Sequence, residues 1–208
     1  MRSEFGIKKL TEEDAGADPA ALLVGWYKEA VQSHEIDPMA MTLATFDIKT
    51  QLPNARIVYA REVTDSGDIY FYTNYQSQKG KELLYHPFAS GLFFWPTLER
   101  QVRTRGRIRK IEAELSDAYF TTRPRESQIG AWVSKQSEKI MDVDELHINI
   151  QALTQQFIDQ EVPRPLYWGG YALVPEYYEF WQGRPARIHD RIIFEKTPTG
   201  WSRSRLMP

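Results

Sequence analysis

Apolar and polar positions along this chain follow two patterns: a strand-like alternation dominates, and a helical periodicity is confined to a few segments. The alternation predicts strands at Met39–Phe46, Ala55–Val63, Ile69–Thr73, Phe88–Trp95, Arg100–Ala113, Trp168–Phe180, the second half of Glu179–Phe194, and Gly200–Leu206. The periodicity predicts helices from Pro19 to near His34 and over Ser77–Tyr85, Asp117–Thr122, Glu126–Trp132 and Asp142–Asp159. Because the strands have hairpin spacing with helices between them, we predict a mainly β fold with α-helices (α+β), a β-barrel with peripheral helices.

Turn and cap residues set the predicted boundaries. Asp18 and Pro19 form a helix N-cap and first helical position, and turns are predicted at Asp47–Asn54 and Asp65–Asp68. Residues 1–17 are polar and lack periodicity, which predicts a mobile N-terminal arm or lid. Residues 18–208 are predicted to form a single domain.

Composition narrows the classes of function. With 208 residues, 42% of them hydrophobic, the chain can bury a substantial core. A formal net charge of -2 argues against a general nucleic-acid or membrane-surface binder, and no apolar run is long enough to span a bilayer, so we expect a cytoplasmic protein. Cysteine is absent and the four histidines are far apart, so neither thiol chemistry nor a metal site is expected.

The segment Glu179–Phe194 carries the strongest chemical signal. If its second half is a strand, Arg187, His189 and Arg191 lie on one face, and we call these three residues the cationic row. Trp181 and the flexible Gly183 precede the row, which suits a planar, phosphorylated ligand. The alternative is an exposed edge strand whose charges prevent aggregation.

Other segments offer weaker signals for phosphate. Tyr119, Arg123 and Ser127 are spaced four residues apart, so they can present a guanidinium and two hydroxyls to one phosphate. Lys79, in the first turn of a predicted helix, opposes the helix dipole unless an anion binds there. Ser134–Ser137 is either a ligand-binding polar cluster or a solvated loop. In the Arg100–Ala113 strand, one face is predicted to be solvated and carries Arg103, Arg105, Arg107 and Arg109.

Seven blocks of sequence, taken in order, resemble pyridoxine/pyridoxamine 5'-phosphate oxidases. They are RIVYAR (56–61), FYTN (71–74), SQKGKEL (77–83), LERQV (98–102), RPRESQIGAWVSKQS (123–137), VPRPLYWGGY (162–171) and EFWQGRPARIHDR (179–191). The resemblance implies an FMN-binding split β-barrel and a homodimer with FMN at the subunit interface. It also implies oxidation of pyridoxine 5'-phosphate or pyridoxamine 5'-phosphate to pyridoxal 5'-phosphate, with O2 reduced to H2O2.

The resemblance also implies a set of site residues. It assigns FMN contacts to Arg56, Ile57, Val58, Tyr59, Arg61, Tyr72, Thr73, Gln78, Lys79, Gln101, Gln136, Ser137, Trp181 and Arg191. It assigns the substrate phosphate to Arg61, Tyr119, Arg123 and Ser127, and a lid contact to Arg2. Arg187 and His189 fall where the family meets the pyridine ring near the reacting carbon, so they are the catalytic candidates.

Three substitutions depart from the family pattern, and Arg184 and Pro185 make the turn before the cationic row stiffer and more basic than expected. Arg61 stands in place of a usual lysine, Gln78 in place of a usual arginine, and Phe5 in place of a lid tyrosine. Two alternatives stay open beside the vitamin B6 oxidase: a related FMN oxidase acting on another ring system, of the phenazine type, and a non-catalytic flavin or pyridoxal-phosphate carrier. Sequence does not separate a base role for His189 from a purely orienting one.

Overall fold

The computed structural model describes Gly6 and residues 8–208. Within that part of the chain there are six α-helices: α1 (Glu12–Ala15), α2 (Pro19–Gln32), α3 (Gln78–Tyr85), α4 (Ala113–Thr121), α5 (Arg125–Val133) and α6 (Val143–Gln156). The described strands number nine: β1 (Ala40–Asp47), β2 (Leu52–Tyr59), β3 (Glu62–Val63), β4 (Ile69–Asn74), β5 (Phe88–Trp95), β6 (Arg100–Lys110), β7 (Trp168–Gln182), β8 (Asp190–Thr197) and β9 (Gly200–Arg205). None of the described helices is long and apolar enough to cross a membrane.

All nine strands join one antiparallel sheet that curls into a half-barrel, which confirms the predicted split-barrel class. The order is β2-β1-β5-β6-β7-β4-β3, and β8 and β9 branch from β7. The first half of β7 pairs with β4 and its second half with β8, while β6 runs along its other edge. The sheet therefore separates into two parts along β7, one continuing through β4 and the other through β8.

A β-bulge lets β6 and β7 stay paired over this length. The register shifts between Arg105 and Gly106, which pair with Tyr177 and Pro175, so Glu176 between them has no partner on β6. A Cβ on Gly106 would lie 1.9 Å from the carbonyl oxygen of Val174, so only glycine fits there. Such bulges bend a strand and increase its twist, which helps this sheet to curl.

Two hydrophobic cores flank the candidate site. The main core fills the half-barrel with large buried side chains such as Met41, Phe71, Phe93 and Phe180. The second core packs Phe120, Ile129, Ala131, Val162 and Trp168 between α4, α5 and the start of β7. Side chains between the two cores therefore have rigid support on both sides.

Several predicted boundaries were wrong. The predicted strand Ala55–Val63 is two strands, with Ala60 and Arg61 between β2 and β3. Strand β2 begins at Leu52, inside the predicted turn, because it is an edge strand and tolerates Pro53. Helix α4 begins at Ala113, which the alternation assigned to a strand.

The start of the chain packs more closely than its composition suggests. Leu10 and Ala15 are buried in the main core, and helix α1 begins with a capping box between Thr11 and Asp14. The division into residues 1–17 and 18–208 stays a prediction. Arg2 and Phe5 lie outside the described residues.

Candidate functional site

A cavity of about 440 Å³ opens where the half-barrel meets helices α4 and α5. Strands β2 and β4, the start of α3 and both helices contribute to its walls. The predicted site residues in its lining are Ile57, Val58, Tyr59, Arg61, Tyr72, Thr73, Lys79, Tyr119, Arg123, Ser127 and Gln136. The fold thus brings together residues from five separate segments of the sequence.

The lining also includes residues that sequence reasoning misses: Asn74, Gly130, Ala131 and Trp168. Asn74 and Trp168 stand in the FYTN and VPRPLYWGGY blocks, so the resemblance contained a signal for both. Gly130 and Ala131 stand in the RPRESQIGAWVSKQS block, but neither has a side chain with a chemical group that points to a site. Ser134, from the predicted polar cluster Ser134–Ser137, lines the cavity beside Gln136.

Stacked aromatic rings form one wall of the cavity. The ring centroids of Tyr72 and Tyr119 are 3.9 Å apart, and those of Tyr72 and Trp168 are 5.7 Å apart. All three rings are close to parallel. Because Tyr72 comes from β4, Tyr119 from α4 and Trp168 from β7, the stack fixes α4 against the barrel.

Arg123 is the least satisfied polar group in the cavity. It follows α4, its guanidinium lies 4.6 Å from the ring centre of Trp168, and Ser127 is in the first turn of α5. Among the described residues, Arg123 Nη1 is a buried side-chain nitrogen with no hydrogen-bond partner. Burial, together with the nearby charge of Arg61, lowers the pKa of Arg123. A buried guanidinium stays protonated, so this position favours an anion.

Arg61 brings a second guanidinium to the same region. It lies 4.8 Å from the ring centre of Tyr59 and 5.7 Å from that of Tyr119. Arg61 lies in the short link between β2 and β3, where the predicted strand Ala55–Val63 is interrupted. This link places Arg61 at the cavity. Two cations and two hydroxyls, those of Tyr119 and Ser127, therefore line one cavity.

Lys79 is a buried cation surrounded by neutral oxygens. Its Nζ donates to Gln136 Oε1 at 2.9 Å and to the hydroxyls of Thr73 and Ser77, each at 3.3 Å. Burial, and then the charge of Arg56, lower the pKa of Lys79 to about 8, against an opposing effect of Glu82. Because Lys79 sits in the first turn of α3, it adds positive charge to the positive end of a helix.

Two residues predicted to contact FMN, Arg56 and Gln78, do not line the cavity. The guanidinium of Arg56 donates to Thr45 Oγ1 and, at 3.3 Å, to Glu82 Oε2. Glu82 is buried and also accepts from Asn54 Nδ2 at 2.7 Å. Gln78 is exposed and lines a different hollow on the other side of α3.

Three further predicted residues align across the sheet, away from the cavity. Gln101 pairs with Trp181, which pairs with Arg191, so the three side chains lie side by side on one sheet face. Glu179, only 2% exposed, accepts from Arg191 Nε at 2.9 Å and from Nη2 at 2.7 Å. Arg103 reaches the same carboxylate at 3.0 Å.

The predicted strand geometry of the cationic row was wrong. Only Arg191 lies in β8, which begins at Asp190. Pro185–Arg187 form a 3₁₀ turn, in which Ala186 and Arg187 have positive φ angles of 55° and 61°. This turn breaks the alternation, so Arg187 and His189 project from a loop before the strand.

The loop nevertheless holds His189 close to the sheet. Its ring centroid is 4.6 Å from that of Trp181, and its Nδ1 accepts a hydrogen bond from the backbone N–H of Arg184 at 3.1 Å. Burial and the charge of Arg187 lower the pKa of His189. Ser137 is exposed and, with Gln101, Trp181, Arg187, His189 and Arg191, lies outside the cavity lining.

A larger hollow, of about 1120 Å³, lies between α4, α5, α6 and residues 157–164. Its lining includes none of the predicted site residues. Its two arginines already donate to main-chain carbonyls, Arg125 to Gln160 and Arg164 to Trp168. The smaller cavity is therefore the better candidate site.

Comparison with known proteins gives two family matches. A model described as pyridoxamine 5'-phosphate oxidase matches residues 27–157. A second, described as pyridoxine 5'-phosphate oxidase C-terminal dimerisation region, matches residues 168–208. Together they cover most of the chain.

Individual relatives agree with those matches. A pyridoxine/pyridoxamine 5'-phosphate oxidase of Chromohalobacter salexigens is 46% identical over 210 residues, which cover 100% of this chain and 97% of that protein. One from Pseudomonas syringae pv. tomato is 44% identical with the same coverage. PhzG from Burkholderia lata, solved in complex with tetrahydrophenazine-1-carboxylic acid, has a TM-score of 0.90 at 26% identity, covering 98% of this chain and 99% of its own.

Proposed function

Because this chain belongs to the pyridoxamine 5'-phosphate oxidase family, we propose that it oxidises pyridoxine 5'-phosphate or pyridoxamine 5'-phosphate to pyridoxal 5'-phosphate. FMN is the proposed cofactor, and dioxygen is reduced to hydrogen peroxide. The amine substrate also consumes one water and releases ammonia, whereas the alcohol needs neither. The proposal rests on one observation above all, the buried Arg123 Nη1 with no hydrogen-bond partner among the described residues.

The unsatisfied nitrogen fits the phosphate of the substrate. A dianion would accept from Arg123 and from Arg61, and the hydroxyls of Tyr119 and Ser127 would complete its contacts. The repulsion between the two guanidinium groups, which contributes to the lowered pKa of Arg123, would then become attraction to a shared ligand. An uncharged substrate would leave that repulsion in place.

The residues around Lys79 fit the phosphate of FMN. Thr73, Ser77 and Gln136 give Lys79 only neutral acceptors, so its charge has no direct partner of opposite sign in these contacts. Ser77 caps α3 and accepts from the N–H of Gly80, which orients the helix start toward the same place. The cavity is therefore lined by Lys79 as well as by Arg61 and Arg123, so it offers a cation to each of two phosphorylated ligands.

The aligned residues Gln101, Trp181 and Arg191 would act on the cavity of a second copy. They lie on a sheet face whose apolar side chains are exposed, including Phe94 at 55% and Ile57 at 59%. Trp181 and Arg191 fall within the segment that matches the dimerisation region. We therefore propose a homodimer in which each FMN contacts both subunits, with Arg187 and His189 facing the partner's substrate.

FMN, when bound, would supply the two-electron acceptor for the hydride that leaves the C4' carbon of the substrate. The chain itself would bind and orient. Arg61 and Arg123 would hold the phosphate, so the pyridine ring has one position along the cavity. Arg187 and His189 would bind and orient the C4' substituent.

The experiment compares two neighbouring arginines. Arg123→Ala removes the unsatisfied guanidinium, whereas Arg125→Ala removes one that points away, toward the carbonyls of Phe157 and Gln160. We expect Arg123→Ala to lower kcat/KM for pyridoxine 5'-phosphate by about 10- to 100-fold, the loss of one charge-assisted hydrogen bond. Arg125→Ala should stay within about threefold of the wild type. Equal rates in all three proteins would contradict the assignment.

One observation supports a second candidate function. The structural likeness to PhzG, solved with a phenazine carboxylic acid, makes an FMN oxidase of a larger, unphosphorylated ring system the alternative. That substrate would not need Arg123. If the chain releases peroxide with a reduced phenazine precursor and not with either vitamin B6 phosphate, the alternative is correct.

A further inference from the structure

We infer that the backbone N–H of Arg184 holds His189 in its neutral Nε2–H tautomer, so that His189 meets the substrate as a hydrogen-bond donor and not as a proton acceptor. The inference rests on the proposed function for the identity of the substrate. The tautomer itself is a property of this loop and is measurable without turnover.

The loop has a backbone built for this contact. Ala186 and Arg187 both adopt left-handed φ angles, 55° and 61°, although neither is glycine. Such conformations are strained for residues other than glycine, so the surrounding contacts must enforce them. Ile188 N–H donates to the carbonyl of Pro185 at 3.1 Å and closes the turn. The closed turn places His189 Nδ1 3.1 Å from the backbone nitrogen of Arg184.

The direction of this hydrogen bond fixes the proton on the ring. A backbone N–H can only donate, so Nδ1 must present its lone pair. A proton on Nδ1, in either the other tautomer or the imidazolium, would face the amide hydrogen of Arg184 and lose the bond. The ring proton is therefore on Nε2.

The charges around His189 favour the same state. The partial burial of the ring and the charge of Arg187, two residues away, both disfavour imidazolium and lower the pKa of His189. The carboxylate of Asp190, the next residue, is held by Arg205 at 2.8 Å, by Leu10 N–H at 3.1 Å and by Arg184 at 3.6 Å. Its negative charge is thus directed to other partners.

The tautomer decides between two roles for His189. A base must accept a proton on a ring nitrogen with a lone pair, and here Nδ1 is occupied by the Arg184 amide. Nε2 already carries hydrogen. Its Nε2–H can donate to a lone pair of the substrate, such as that of the oxygen or nitrogen on C4'. His189 then orients the substituent and does not remove its proton.

The first test reads the tautomer directly. Full-length protein labelled with 15N-histidine, with and without added FMN, is studied by long-range 1H–15N correlation at pH 7 to 8. His189→Gln identifies the His189 signals, and exposed His147 on α6 serves as an internal reference. We expect one protonated Nε2 and one unprotonated Nδ1 for His189. A protonated Nδ1, whether in the other tautomer or in imidazolium, would overturn the inference.

The second test uses two amides that imitate different ring nitrogens. Glutamine places an N–H donor near the position of Nε2, whereas the shorter asparagine side chain places its amide only near the position of Nδ1, where its oxygen can accept from the Arg184 N–H. We expect His189→Gln to retain kcat/KM for pyridoxine 5'-phosphate to within about tenfold, and His189→Asn to lose a further factor of about 10. Asparagine equal to or better than glutamine would refute a donor role. Thermal unfolding and FMN content, measured for both variants, show whether either one misfolds.

The two proposals fail separately. If wild-type protein oxidises neither vitamin B6 phosphate, the proposed function is wrong, whatever the NMR spectrum shows. If it oxidises them and the NMR spectrum shows protonated Nδ1, the proposed function stands and the tautomer assignment is wrong.

Discussion

FMN should bind this protein more weakly as the pH rises through about 8, because Lys79 loses its proton there. The side chain is only 9% exposed and its contacts are the oxygens of Thr73, Ser77 and Gln136. A phosphate beside Lys79 would favour the charged form and return its pKa toward the ordinary value of 10.5. Binding above pH 8 therefore requires the uptake of a proton.

The size of the effect follows from the two pKa values. With a pKa of about 8 in the FMN-free protein, the fraction of charged Lys79 at pH 9 is about one tenth. The dissociation constant of FMN should thus rise about tenfold between pH 7 and pH 9. The free energy of unfolding of the FMN-free protein should rise with pH over the same range. Because the pKa of Lys79 is depressed in the folded state, the unfolded chain binds more protons than the folded one between pH 8 and 10.5. Raising the pH through this window therefore makes unfolding less favourable.

Titration of FMN, followed by quenching of its fluorescence, measures this dependence at pH 7, 8 and 9. Lys79→Met should weaken binding at pH 7 and leave a nearly flat pH profile. Lys81→Met, two residues along and exposed, is the matched control and should keep the wild-type slope. A wild-type profile that is flat, or a slope that survives in Lys79→Met, would refute the role assigned to Lys79.

Three further predictions concern Glu179, Arg187 and Phe94. Glu179→Gln should weaken FMN binding by about 5- to 30-fold by releasing Arg191 from a buried carboxylate; unchanged affinity in an FMN titration would contradict this. Arg187→Ala should lose most turnover, by about 100-fold or more, while FMN remains bound, so wild-type peroxide release would sink that assignment. Phe94→Asp should place a charge in the exposed sheet face and shift sedimentation toward the monomer, with loss of FMN; a dimer that keeps FMN would show that this face is not the interface.

Local signals in the sequence were enough to predict much of the fold. Asp18 caps α2 and Pro19 opens it, as predicted, because both act through their own backbone. The alternation also predicted the solvated face of β6, where Arg103, Arg105 and Arg107 are exposed. Boundaries at strand edges were harder, because Pro53 is excluded from a central strand but not from the edge strand β2.

The site was less accessible to sequence reasoning, because its supporting contacts are distant in the chain. Glu82 binds Arg56, which is 26 residues away in the sequence, and Glu179 on β7 binds Arg191 on the neighbouring strand β8. No spacing rule predicts either pair. The cationic row failed as a strand for a local reason: Pro185 opens a turn whose left-handed residues, Ala186 and Arg187, carry none of the usual glycine signals.

We propose above all that the cavity around Arg123 recognises the phosphate of a substrate that reduces bound FMN. Anaerobic mixing of the FMN-loaded protein with pyridoxine 5'-phosphate or with pyridoxine, followed at the visible flavin band, tests it most directly. We predict that the band bleaches with the phosphate ester, and that pyridoxine at equal concentration acts at least about 100-fold more slowly, since it leaves Arg123 unpaired. Equal rates of bleaching with the two compounds, or no bleaching with either vitamin B6 phosphate, would contradict the claim.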